Sequence, residues 1–71
     1  MNRVDLVKDF SGRILARIET DSRGNKTVRN FNNWILGRYD AQSNTTRDFY
    51  GRIVARGDAC SLLISMQPPQ P

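Results

Sequence analysis

The sequence predicts an all-β domain: an antiparallel meander of about six short strands, built from three tandem β-hairpin repeats and ended by a short apolar cap. Three observations predict it. Residues 8–17 read KDFSGRILAR, and residues 47–56 read RDFYGRIVAR, with a third copy, RNFNNWILGR, at 29–38. Phe10, Phe31 and Phe49 mark the copies at intervals of 21 and 18 residues, and self-similarity at about 20 residues signals a repeated supersecondary unit. Turn signals led by an acid or its amide fall at 9, 21, 30, 40 and 48, the spacing of about 8–12 residues found in chains of short strands.

The turn signals carry a mechanism. An Asp followed three residues later by Gly marks a type I turn whose next residue is left-handed, because the Asp side chain accepts from the turn's amides and Gly takes positive φ without steric cost. Joined to strands, it makes a three-residue hairpin loop with a bulge. Asp9 to Gly12, Asp21 to Gly24 and Asp48 to Gly51 fit, and Asn30 to Asn33 substitutes the residue that best tolerates left-handed backbone after Gly. Asp40 to Ser43, followed by Asn44, is a weaker version. Between these turns the chain predicts strands at 3–8, 13–20, 25–29, 34–39, 44–47 and 52–57. The repeats are then about 3–20, 21–40 and 41–58.

Strict alternation along a strand sorts side chains onto two faces. It puts Ile14, Ala16 and Ile18, with Ile35, Gly37, Tyr39, Ile53 and Ala55, on a core face, and Leu15, Leu36 and Val54 on an outer one. The small residues Ala16, Gly37 and Ala55 at one repeat position imply close approach there, as in a closed barrel or a radial set of hairpins. Residues 59–66, ACSLLISM, are the most apolar run and predict a cap, either a last strand or a short turn of helix, because end repeats need covering. Residues 67–71, QPPQP, cannot continue a ladder and predict a disordered tail.

At 71 residues the chain is a single domain that buries only about 60% of its unfolded surface. One Cys and no His leave neither an internal disulfide nor a recognisable zinc set. No stretch approaches the roughly 18 apolar residues of a membrane span, and the start is unlike a secretory signal, so the expectation is a cytoplasmic protein without a membrane partner. Lys and Arg outnumber Asp and Glu by 11 to 7, a net charge of +4 spread along the chain.

Catalysis is not expected, since there is no His to act as the usual general base and each of Asp9, Asp21, Asp40 and Asp48 begins a turn. No cofactor or metal site is expected. Two surfaces remain as candidates. Leu15, Leu36, Val54, Trp34 and the turn residues Phe10, Phe31 and Phe49 form an apolar set that predicts self-association, a homo-oligomer or another protein partner. Arg13, Arg17, Arg38, Arg52 and Arg56 recur in the repeat and, beside Trp34, form a candidate polyanion site, making a small nucleic-acid binder the second reading. The competing account of those arginines is that they ladder across strands with Asp5, Glu19, Asp40 and Asp58.

Across residues 5–64 the pattern DxxGR(I/V)x(A/G)R resembles bacterial tandem β-hairpin repeats, including the YD repeats of Rhs-type proteins, with Tyr39-Asp40 reproducing the dipeptide itself. In that family the repeats form a shell or scaffold. The resemblance therefore implies a non-catalytic structural or interaction module, of bacterial type.

Overall fold

Each three-residue turn is closed by the side chain of the residue that leads it. In the computed structural model, which describes residues 2–65, Asp9 Oδ1 accepts the Ser11 and Arg13 amides at 2.9 and 3.0 Å. The Gly12 amide donates to the Asp9 carbonyl, and the Asp9 amide to the Arg13 carbonyl, both at 3.0 Å. The same four bonds recur at Asp21, Asn30 and Asp48. The fourth residue is left-handed each time, with φ of 88° at Gly12 and Gly24, 85° at Gly51 and 68° at Asn33. In the turn led by Asp40 the left-handed residue is Asn44, at φ 55°, so that loop is one residue longer than the others.

These turns fold the chain into one six-stranded antiparallel sheet in sequential order: β1 (Arg3–Lys8), β2 (Ile14–Thr20), β3 (Lys26–Asn30), β4 (Ile35–Asp40), β5 (Thr45–Asp48) and β6 (Ile53–Arg56). Every strand lies within one residue of its expected limits. The sheet is not closed, and β1 and β6 are its two edges. The cap is helical, α1 (Cys60–Ser65). The tail expected at 67–71 lies outside the described residues.

Alternation fails at one repeated position. Lys8 pairs with Ile14 but Val7 pairs with Ala16, leaving Leu15 as an extra residue in β2. Leu36 is extra between Ile35, opposite Arg29, and Gly37, opposite Val28. Val54 is extra in the same way between Ile53 and Ala55. Each is a β-bulge, in which two residues oppose one and share its face. The outer-face assignment of Leu15, Leu36 and Val54 is therefore corrected: Leu36 and Val54 pack on the core with Val28, Cys60 and Leu63, and Leu15 is half-buried. Conversely Ile14 and Ile53, expected in the core, are 42% and 50% exposed on the opposite face.

α1 lies on the face bearing Val28 and sets the small residue there. A Cβ on Gly37 would stand 2.3 Å from the Arg47 carbonyl oxygen and 2.8 Å from both Leu63 methyls, so only Gly admits the helix. The close approach at Gly37 is thus to the β5 backbone as well as to the helix. A buried Thr46 fixes the crossover, its hydroxyl donating to the Gly57 carbonyl at 2.7 Å and accepting the Ala59 amide at 2.9 Å. Asp58, which accepts the Cys60 amide, also pairs with Lys26.

Overpacking of this kind costs about 1–3 kcal/mol, so Gly37→Ala should lower urea-unfolding stability by about 2 kcal/mol or more, whereas Asn33→Gly should leave it nearly unchanged. Acid should also destabilise. The Asp9 carboxyl lies below its ordinary 3.8 chiefly because the Ser11 hydroxyl and Arg13 amide donate to it. At Asp21 a desolvation acting upward is outweighed by the Arg23 and Asn25 amides, and Asp58 is lowered foremost by Lys26. A depressed carboxylate stabilises the fold above its unfolded pKa and loses that contribution as pH falls through the folded one. Thermal midpoints should accordingly hold steady from neutrality to about pH 4 and fall below it.

A candidate anion-binding face and three aromatic hairpin tips

Among the described residues no element covers the face opposite α1, and its ladder brings arginines side by side. Arg17 pairs directly with Arg29, and Arg38 with Arg47. Arg56, opposite Thr45, continues the pattern at the edge. The repeat explains this arrangement. The final arginine of one unit meets the leading basic residue of the next, so like charges are opposed wherever two units adjoin. Like charges directly across a ladder destabilise it. Val4, Leu6, Ile14 and Ile53, each between 42% and 51% exposed, lie among them.

Among the described residues the acids reach the recurring Arg29 and Arg52 but not Arg17, Arg38 or Arg56. Among the described residues Asp5 pairs with Arg3 at 3.0 Å, Glu19 with Arg29 at 2.9 Å, Asp58 with Lys26, and Asp48 with Arg52 at 3.4 Å. Asp40 accepts the Gln42 amide and the Ser43 hydroxyl. Arg17, Arg38 and Arg56 are exposed and have no acid within ion-pair distance among the described residues. Of the other expected cations, Arg52 lies 5.3 Å over the Tyr50 ring, and Arg13 is exposed at the foot of the first turn. Sequence reasoning missed Arg29 and Arg47. Their signal was the leading column of the repeat, Lys8, Arg29 and Arg47, basic in all three copies.

The aromatic residues occupy one end of the sheet. In a sequential meander the turns β1–β2, β3–β4 and β5–β6 share an end, which gathers Phe10, Phe31 and Phe49 with Trp34 and Tyr50. All are exposed, Phe10 at 105%, Phe31 at 61%, Phe49 at 66%, Trp34 at 54% and Tyr50 at 77%. Phe49 meets its neighbour Tyr50 edge to face, ring centres 5.3 Å apart. Among the described residues no hydrogen bond joins one aromatic turn to another. The opposite end is tied together: the Asn25 side chain accepts the Ala41 amide, the Tyr39 hydroxyl donates to Asn44, and the Gly57 amide to the Asn44 carbonyl.

The interaction set expected from sequence is thus divided. Phe10, Phe31, Phe49 and Trp34 stand at the tips, while Leu36 and Val54 are turned to the helix. Beneath the second tip Leu6, Ile14, Arg17, Asn30, Phe31 and Asn33 line a cleft of about 160 Å³, small beside ligand pockets of roughly 300–1,000 Å³. Comparison with family models, curated proteins and solved structures finds no match to this chain.

Cys60 is the one thiol. Burial first, then Asp58, pushes it up to about 12. Only a thiolate attacks, so a disulfide reagent at neutral pH should label Cys60 negligibly in the folded protein and fully once denaturant is added; prompt labelling of the native chain would contradict its burial between the start of α1 and the sheet.

Proposed function

We propose that this chain is a non-catalytic binding module that takes a phosphate-rich polyanion on the open face of its sheet. One observation carries the reading: among the described residues Arg17, Arg38 and Arg56 stand exposed without acid partners, the carboxylates of the sheet being engaged elsewhere. Cations aligned on a surface neutralise phosphates and release condensed counterions, giving affinity that falls steeply with salt. The opposed pair Arg38/Arg47, which no acid reaches among the described residues, opposes folding, and an anion lying between the two would relieve it; at Arg17/Arg29 the Glu19 carboxylate already offsets part of the charge. A role as a scaffold, which the tandem-hairpin resemblance implies, is compatible with such binding. Face-to-face pairing of two copies is disfavoured by the same charges.

Arg38→Gln separates this reading from a structural one. Removing one of two opposed cations should raise stability by about 0.2–1 kcal/mol while weakening polyanion binding. With a short homopolymer oligonucleotide as probe, the triple change Arg17→Gln, Arg38→Gln and Arg56→Gln should reduce the slope of log K against log salt by about 2. An unchanged slope, or a loss of stability in Arg38→Gln, would assign these arginines to the fold instead.

A further inference from the structure

We infer that the anionic partner is a lipid bilayer surface, met by the three aromatic hairpin tips with the arginines at headgroup level. The inference rests on the polyanion reading and adds what that reading leaves unexplained, the aromatic tips. The register places the cations in relation to those tips. In each hairpin one cation precedes the turn, at Lys8, Arg29 and Arg47, and a second lies two residues further from the tip on the same face, at Arg17, Arg38 and Arg56. At about 3.4 Å per residue those two levels are about 7 Å apart. Reading outward along any hairpin gives cation, cation, then phenylalanine. Amphipathic elements at a bilayer bury apolar groups about 5–10 Å into the headgroup and acyl boundary, with basic residues against anionic lipid.

Spacing favours a surface over a strand of nucleic acid. Because Leu6 is level with Arg29, and Thr27 with Arg47, each hairpin is set back two residues from the one before. With neighbouring strands about 4.8 Å apart, equivalent tip positions are about 12 Å from one another. Successive bases stack at about 3.4 Å, and stacking aromatics belong beside the arginines; Phe31 alone lines a cleft with Arg17, whereas Phe10 and Phe49 stand at the tips of the outer hairpins. Tips this far apart cannot cover one another, yet three phenylalanines are held in water by turns that need no aromatic residue. A hydropathy window tests only for spanning. No helix among the described residues is long and apolar enough to cross a membrane, and a stepped set of tips requires none.

Trp34 is the single tryptophan and sits at the second tip, so its emission reports on the contact. Adding phosphatidylcholine vesicles with about one-third phosphatidylserine should shift that emission to shorter wavelength, and pure phosphatidylcholine should do so far less. Phe10→Ser, Phe31→Ser and Phe49→Ser combined should weaken vesicle partitioning by about tenfold or more, with heparin binding and the thermal midpoint little changed; Phe10→Ser alone, at the most exposed ring, serves if the triple variant folds poorly. Heparin binding without any vesicle response overturns the lipid assignment and leaves the polyanion reading standing. Failure with both ligands overturns both. Equal loss of oligonucleotide binding in the Phe variants would assign the tips to nucleic acid, and dissolution of an oligomer by them would assign the tips to a second copy; either result overturns the inference.

Discussion

One oxygen atom in each of four of the five hairpins governs this structure. The Oδ1 of Asp9, Asp21, Asn30 or Asp48 accepts two backbone amides and so fixes where the chain reverses. Few other forces are available to do this. Among the described residues only Ala16, Val28, Cys60 and Leu63 form a fully covered apolar core, too small a set to select strand register by burial alone. A slip of one residue would exchange the two faces of a strand, and the side-chain bonds at the turns oppose that slip at each reversal. Locality follows: the contacts that define the sheet are between neighbours in sequence.

The second organising feature is the bulge that follows three of those turns. An extra residue in β2, β4 and β6 brings two consecutive side chains to the helix side and sharpens the local twist. The sheet thereby presents Leu36 and Val54 as well as Val28 to α1, while the isoleucine before each bulge turns to the open face. Gly37 completes the fit, since the nearest Leu63 methyls leave no room for a Cβ.

Strand limits and turn types were legible because the Asp-x-x-Gly spacing states its backbone conformation directly. Faces were not. Alternation assumes two residues per repeat of the pleat, and nothing in Ile14-Leu15-Ala16 announces that Leu15 is supernumerary, although a left-handed Gly12 just before it was the available hint. The recurring arginines were legible as a set, but their meaning depended on which acids reach them. Glu19 bonds to Arg29 across the β2–β3 ladder and Asp58, in the loop before α1, to Lys26, pairings that no local pattern encodes. Thr46, hidden in an unremarkable Thr-Thr, became visible only once the crossover from β6 to α1 was in place.

The turns also divide their residues by duty. First and fourth positions hold the backbone, leaving the middle pair largely free of that duty: Phe10-Ser11, where the Ser11 hydroxyl bonds to Asp9, Ser22-Arg23, Phe31-Asn32 and Phe49-Tyr50. Bulky rings fill that pair at one end and a small polar residue with a cation at the other, a difference the scaffold itself is indifferent to. Architecture is consequently written in the outer letters of the motif, so the exposed phenylalanine that leads three of these pairs can be exchanged without disturbing the frame.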